Sequence, residues 1–210
     1  MSTIAPAILV DMPAAYEQYV RTLLPFARRV HIDITDEEFA PSKTVTLDDI
    51  WWPREWIADV HMMVNYPSRY AAKLVQMKPH LVIFHAEAKE PLLPTLRQLR
   101  AAGIKVAVGL LAPTHPRDAR HEIEESDGAM IFSGDLGHYG GTANLLLLHK
   151  VRQIHDSNPH AEIGWDGGVN LDNARDLARG GVDVLNVGGC ISRADDPHTA
   201  YQLLERAVKE

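Results

Sequence analysis

The chain has 210 residues, of which 46% are hydrophobic, and it carries a formal net charge of −7. This length is enough to bury a full core, and we expect one domain over residues 1–210. The chain is acidic and has no cluster of basic residues, which argues against nucleic acid as a partner. No apolar run approaches the roughly 20 residues that span a bilayer.

Cys190 is the only cysteine, which excludes a disulfide within the chain. The first ten residues lack the basic and long apolar regions of a signal peptide, so we expect a cytoplasmic protein without a membrane partner. A phosphorylated small molecule is compatible with the net charge, because backbone amides at helix N-termini bind phosphate.

Strand-like and helix-like segments alternate along the chain. The apolar runs predict strands at 7–10, 29–34, 57–63, 81–85, 105–111, 129–132, 161–165 and 182–187. The helical spacing of apolar residues predicts helices at 13–26, 47–52, 67–77, 92–102, 117–124, 143–155, 171–178 and 198–208. Eight strand and helix units of this kind predict an α/β fold, a single (β/α)8 TIM barrel, with a doubly wound open sheet as the alternative.

Polar side chains stand near the ends of three predicted strands. His31 and Asp33 share one face of the second strand, because alternate residues of a strand point the same way. His61 lies near the end of the third strand, and Asp166 follows the seventh. In a barrel these ends meet at one face, so the four side chains are candidate ligands of one cation. On spacing alone, Asp59 is an alternative to Asp166.

Two imidazoles and two carboxylates suit a divalent ion such as zinc, iron, manganese or cobalt. Such an ion would polarise a substrate carbonyl, and two carboxylates on opposite sides of the substrate would act as general base and general acid. His85 and Glu87 form a further polar pair at a strand end. They either orient the ligands or form a structural hydrogen bond.

Three glycine pairs stand between a predicted strand and a helix, namely Gly140-Gly141, Gly167-Gly168 and Gly188-Gly189. Glycine lets a backbone approach an anion closely, and the loops after the seventh and eighth strands of a barrel are the usual phosphate site. The pattern therefore predicts a phosphate-binding end of the site.

These motifs resemble the ribulose-phosphate 3-epimerase family nearly from end to end. The segment His31-Ile-Asp33-Ile-Thr-Asp36-Glu-Glu-Phe39-Ala-Pro41 is similar to the family's His-x-Asp-x-Met-Asp-Gly-x-Phe-x-Pro. The other matches are Asp59-Val-His61-Met-Met63-Val, His85-Ala-Glu87, Gly137-His-Tyr-Gly140-Gly141, Asp166-Gly167-Gly168-Val-Asn170 and Asp195-Asp196-Pro197.

The resemblance implies a barrel of the ribulose-phosphate-binding type that takes a phosphorylated sugar and one divalent metal ion. His31, Asp33, His61 and Asp166 would be the metal ligands, and Asp33 and Asp166 the catalytic acid and base. It implies phosphate binding by Gly140, Gly141, Gly168, Gly189 and the backbone of Cys190. Met63 and Ser133 would lie in the substrate pocket. The implied reaction converts D-ribulose 5-phosphate to D-xylulose 5-phosphate through an enediolate, in the pentose phosphate pathway.

Several residues depart from the family pattern close to the expected site. Val10 replaces a serine, Thr35 and Phe132 replace methionines, and Glu37 replaces a glycine. These changes leave open an epimerase of another ketose phosphate, such as a hexulose 6-phosphate, or a phosphate-binding barrel without catalysis. An aldol or decarboxylase barrel would need a lysine in an Asp-x-Lys run, which the segment after Asp33 lacks.

We also expect a homo-oligomer. Trp51, Trp52 and Trp56 cluster after the second strand. We expect these three tryptophans to be exposed and to form a contact surface or a lid, and a plain packing role is the alternative.

Overall fold

The computed structural model describes residues 2–138 and 140–209, so Met1, Tyr139 and Glu210 lie outside the described residues. Eight parallel strands form a closed barrel in chain order, which confirms the predicted TIM barrel and excludes the open sheet. The strands are β1 Thr3–Ile8, β2 Arg29–Thr35, β3 Ile57–Met63, β4 Leu81–His85, β5 Lys105–Leu110, β6 Gly128–Phe132, β7 Glu162–Asp166 and β8 Val184–Val187.

In the described part of the chain, helices follow every strand except β2 and cover the outside of the barrel. They are α1 Pro13–Leu23, α2 Ser68–Met77, α3 Leu93–Ala101, α4 Arg120–Glu124, α5 His149–Ser157, α6 Ala174–Arg179, α7 Gly189–Ser192 and α8 Pro197–Ala207, with 3-10 turns at Pro116–Ala119 and Leu145–Leu148. Among the residues that the structure describes, none of these helices is long and apolar enough to cross a membrane.

Three elements differ most from the sequence prediction, and two of them lie in the first quarter of the chain. The first strand runs from Thr3 to Ile8 instead of over 7–10, because pairing with β8 holds the segment around Pro6 in the sheet. The helix predicted at 47–52 does not form. The Asp49 carboxylate instead accepts hydrogen bonds from the backbone N–H and the hydroxyl of Thr46 at 2.9 and 2.7 Å, which closes a turn.

The helix predicted at 143–155 also begins later than expected. Asn144 caps a 3-10 turn by accepting a hydrogen bond from the Leu146 N–H at 3.2 Å, and the α-helix starts only at His149. The residues before it stay in the loop that follows β6. This loop contributes to the cavity described below.

The strand register places charged residues inside the barrel in two layers. In the lower layer Arg29 donates to Asp59 at 2.6 Å and to both carboxylate oxygens of Glu162 at 2.8 and 2.6 Å. One step higher, Asp33 pairs with His61 across β2 and β3. Asp59 therefore belongs to an ion-pair network near the N-terminal end of the barrel, which removes it as the alternative metal ligand.

The tryptophans after β2 are only partly exposed. Trp51 is 47% exposed, whereas Trp56 is 5% exposed and packs in the main core. The expectation of three exposed tryptophans is therefore wrong for Trp56, which has the packing role that the sequence left as the alternative. Trp52 also packs against the core.

Candidate functional site

Four side chains from three strands converge at the C-terminal end of the barrel. One potential ligand atom from each of His31, Asp33, His61 and Asp166 lies within 4.8 Å of the others. The Nδ1 atom of His61 is 2.7 Å from Asp33 Oδ1 and 3.7 Å from Asp166 Oδ2. The Nε2 atom of His31 is 3.3 and 3.7 Å from the same two carboxylates.

The hydrogen bonding of His31 fits a metal ligand. Its side chain is 0% exposed, yet neither ring nitrogen makes a hydrogen bond to any residue in the ranges 2–138 and 140–209. Buried polar atoms nearly always have a partner, and a cation among the four side chains would give Nε2 one. Two carboxylates would also balance the charge of a divalent ion, so the four residues are compatible with metal binding.

The two carboxylates of this cluster differ in electrostatics. Burial would raise the pKa of Asp33, but the neighbouring imidazoles of His31 and His61 lower it below its ordinary value. Burial raises the pKa of Asp166, and the charge of Asp33 raises it further against the effect of the imidazoles. The surroundings thus shift the pKa values of the two carboxyl groups in opposite directions, as a paired base and acid would require.

A chain of polar contacts extends from His61 away from the cluster. The Nε2 atom of His61 shares a hydrogen bond with His85 Nε2 at 2.8 Å, and His85 Nδ1 lies 3.4 Å from Glu87 Oε2. Burial lowers the pKa of His85 to about 4, so this ring is neutral. Glu87 also accepts a hydrogen bond from the backbone N–H of Leu111 at 3.0 Å.

Metal binding through Nδ1 would fix one tautomer of His61. If Nδ1 of His61 is a ligand atom, Nε2 carries the proton and donates a hydrogen bond to Nε2 of His85. The N–H of His85 is then at Nδ1 and faces Glu87. Such partners fix the orientation of a ligating imidazole. The pair His85 and Glu87 therefore contacts the candidate ligands, which favours the orienting role over a purely structural hydrogen bond.

We expect His85→Leu to weaken metal binding by about 10- to 100-fold, because His61 loses the acceptor that fixes its tautomer. Competition with a chromophoric chelator would measure the affinity. His160→Phe, at an exposed position before β7, is the control and should bind metal like the unmodified protein. Equal affinity in the His85 variant would contradict the orienting role.

A cavity of about 240 Å³ opens above the four side chains. Asp33 and Asp166 face it, and so does Met63. The predicted phosphate-binding residues Gly140, Gly141, Gly168, Gly189 and Cys190 all line the same cavity. Carboxylates and glycine-rich loops therefore border one cavity, although the loops come from different parts of the chain.

Backbone contact between the loops explains two of the glycines. A Cβ on Gly167 would lie 2.1 Å from the Gly134 nitrogen, and one on Gly168 would lie 2.1 Å from the Ala143 nitrogen. Both glycines also have positive φ, at 99° and 70°. The loop after β7 can therefore pack against the loop after β6 only without side chains at these positions.

Ser133 lies outside the lining of this cavity. Its hydroxyl accepts a hydrogen bond from the backbone N–H of Asn144 at 2.7 Å, so it stabilises the loop after β6. Val10 packs against the main core, whereas Ala7 and Leu9 line the cavity. Because alternate residues point to opposite sides, Ala7 and Leu9 at the C-terminal end of β1 face the cavity, whereas Val10 faces the core.

The other departures have separate consequences. The Thr35 hydroxyl donates to the carbonyl of Ser42 at 2.5 Å and so secures the loop after β2. Glu37 is exposed, lies outside the cavity lining and has a φ of 59°, a left-handed conformation that glycine adopts without steric cost. Phe132 does line the cavity, and its ring centroid is 5.7 Å from that of His85 in an edge contact.

The sequence did not single out four polar residues that line the cavity: Asp135, His138, Asn186 and Arg193. Asn186 is 3% exposed, and within the described part of the chain its Oδ1 has no hydrogen-bond partner. It stands in an apolar strand directly beside Asp166 in the register. A polar residue at an inward position of β8 was the signal that would have identified it.

Solved structures share this architecture. The 3-hexulose-6-phosphate synthase from Salmonella typhimurium aligns with a TM-score of 0.76 over 100% of this chain and 99% of that chain, at 15% identity. The KGPDC from Streptococcus mutans aligns with a TM-score of 0.76 at 13% identity, over 99% of this chain and 97% of that chain. Identities this low show the fold alone.

Sequence comparisons are more specific. The ribulose-phosphate 3-epimerase of Mycobacterium leprae is 28% identical over 97% of this chain and 93% of its own length. The enzyme of the same name from Helicobacter pylori is 28% identical over 84% of each chain, and that from Schizosaccharomyces pombe is 25% identical over 98% and 93%.

The profile of the ribulose-phosphate 3 epimerase family matches residues 3–192, a range that includes all four candidate metal ligands. The match covers every strand of the barrel. The chain therefore belongs to the ribulose-phosphate 3-epimerase family and is an isomerase of the epimerase type.

Proposed function

We propose that this protein inverts the configuration at C3 of D-ribulose 5-phosphate to give D-xylulose 5-phosphate. The observation that carries the proposal is the pair Asp33 and Asp166. Both carboxylates face one cavity, at the end of the barrel where such enzymes act, and their pKa values are shifted in opposite directions. The family and the relatives named above support the reaction class.

In the proposed reaction one aspartate breaks the C3–H bond by accepting the proton. The electron pair of that bond moves toward the C2 carbonyl, and the second aspartate then delivers a proton to the opposite face of C3. Asp33 is suited to be the base and Asp166 the acid in one direction, and the roles exchange in the reverse direction. Met63 and Phe132 give the cavity an apolar wall beside these carboxylates.

His31, Asp33, His61 and Asp166 would hold one divalent metal ion, of zinc, iron, manganese or cobalt. When bound, such an ion supplies Lewis acidity that makes a proton beside a carbonyl easier to remove. The protein's own contribution is to hold the two imidazoles and two carboxylates in place. The hydrogen bond between His61 and His85 supports this arrangement.

The glycine-lined end of the cavity would take the phosphate of the substrate. Gly140, Gly141, Gly168, Gly189 and the backbone of Cys190 line this end. Backbone N–H groups that are not covered by side chains can donate to phosphate oxygens. The proposed substrate would then extend from the glycine loops to the two aspartates, with C3 between the carboxylates.

A comparison of substrates tests the proposal. The metal-loaded protein would be assayed with D-ribulose 5-phosphate and with six-carbon ketose phosphates, and kcat/KM would be compared. We expect the highest value for D-ribulose 5-phosphate. A higher value for a hexulose 6-phosphate would identify another ketose phosphate as the substrate, and ligand binding without turnover would identify a binding protein.

We further propose that residues 1–210 form one domain, that the protein works in the cytoplasm and that it forms a homo-oligomer. The closed barrel supports the first point, and the single cysteine, Cys190, supports the second. The exposed Trp51 supports the third. Sedimentation measurements would test the oligomeric state.

A further inference from the structure

Arg193 follows α7 and folds back over two of the glycine loops. An ideal Cβ on Gly140, after β6, would lie 3.0 Å from Arg193 Nη2, and one on Gly189, after β8, would lie 3.0 Å from its Nε. The guanidinium therefore rests against the bare backbone of both loops. It also lines the cavity that contains the two aspartates.

Arg193 differs in charge from the other ionisable residues that line this cavity. Three carboxylates line it, those of Asp33, Asp135 and Asp166, and within residues 2–138 and 140–209 Arg193 is the one lysine or arginine that does so. A guanidinium is charged at every pH at which proteins are folded. Without Arg193, a phosphate entering from solvent would meet no lysine or arginine side chain among the described residues of the cavity wall.

The guanidinium is also not neutralised by the protein. Across the part of the chain that the structure describes, no carboxylate lies within ion-pair distance of Arg193, and no hydrogen bond engages its guanidinium. Other arginines behave differently, since Arg29 is bound by Asp59 and Glu162. Arg193 thus presents its full set of donors beside the glycine loops.

We propose that Arg193 is a substrate-specificity residue whose guanidinium binds the phosphate group of the substrate, together with the backbone N–H groups of the glycine loops. This inference rests on the proposed function, because it takes the substrate to be a phosphorylated sugar. The planar guanidinium matches two phosphate oxygens at once, which a backbone amide cannot do.

The position of Arg193 also explains why residues 140 and 189 are glycines. A side chain at either position would push against the guanidinium and move it off the loops. Glycine therefore leaves both the backbone N–H groups and the arginine in reach of the same ligand. The arginine in turn joins loops that come from different parts of the barrel sequence.

The experiment compares three variants with the unmodified, metal-loaded protein. Arg193→Gln removes the charge and keeps a polar side chain. Arg193→Lys keeps the charge but lacks the planar guanidinium group. Arg21→Gln, on the outer surface of α1 with a side chain that is 73% exposed, is the charge-matched control. For each protein we would measure kcat and KM for the ketose phosphate and the inhibition constant of inorganic phosphate.

We expect Arg193→Gln to raise both KM and the inhibition constant of phosphate by roughly 10- to 100-fold, while kcat stays within about two-fold. Arg193→Lys should recover part of the loss, and Arg21→Gln should match the unmodified protein. An unchanged inhibition constant in Arg193→Gln would overturn the proposal. A fall in melting temperature or kcat with unchanged phosphate inhibition would also overturn it, because it would show a structural role.

Calorimetric titration with inorganic phosphate separates this proposal from the proposed function. If the unmodified protein turns over no ketose phosphate, the proposed function fails, and the titration still compares Arg193→Gln with the unmodified protein. Weaker phosphate binding in the variant would support the role of Arg193 there too. Equal phosphate binding would overturn that role even in a fully active enzyme.

Discussion

Asp33→Asn and Asp166→Asn are each expected to slow the exchange of the substrate C3 proton with deuterated water by about 10³-fold or more. An amide cannot accept the proton as a carboxylate does, and each variant also removes a negative charge from the candidate metal site. Both carboxylates line the cavity, and the proposed reaction uses one of them on each face of C3, so neither would replace the other. Nuclear magnetic resonance of the recovered substrate would follow the exchange.

Metal content must be measured in the same samples, so that loss of the ion is distinguished from loss of proton transfer. Asp156→Asn, on the exposed surface of α5, is the matched control and should exchange the proton like the unmodified protein. Full exchange in either of the two site variants would contradict the acid and base roles.

Removal of the metal is expected to abolish activity and to lower the melting temperature. The four ligand groups are buried or nearly so, and without an ion His31 is left with unpartnered nitrogens beside two carboxylates. A ligand that binds only the folded state stabilises it by about 4 kcal/mol at 1,000 times its dissociation constant. Calorimetric scans before and after dialysis against a chelator would measure the shift.

His31→Gln gives this prediction its control. The variant should contain less than one ion per chain, and its melting temperature should respond little to added metal. His138→Gln changes an exposed histidine that is not one of the four ligand groups and should keep the metal response. If the unmodified protein melts at the same temperature with and without metal, the buried cluster does not bind an ion.

The fold was largely predictable because strand and helix patterns alternate without interruption. The sequence predictions were wrong where pairing with a strand distant in the sequence, or a hydrogen bond to a side chain, determines the local structure. The segment at Thr3–Ile8 contains Pro6 and reads poorly as a strand, but β8 holds it in the barrel. The helix predicted at 47–52 is replaced by the turn that Asp49 closes.

The candidate site could be predicted where residue type and strand position coincided. His31, Asp33 and His61 lie inward on adjacent strands, and the register that joins them follows from the closed barrel. Ser133 and Arg193 were harder to assign. The hydroxyl of Ser133 is used by the loop after β6, and the position of Arg193 depends on how far its long side chain folds back.

The proposed function requires that four side chains from β2, β3 and β7 bind one metal ion together. Anomalous diffraction from crystals of the metal-loaded protein, recorded on both sides of the metal's absorption edge, tests it most directly. We predict one peak within bonding distance, about 2.0–2.3 Å, of His31, Asp33, His61 and Asp166. A peak elsewhere on the chain, or no peak at the barrel mouth in fully active protein, would contradict the claim.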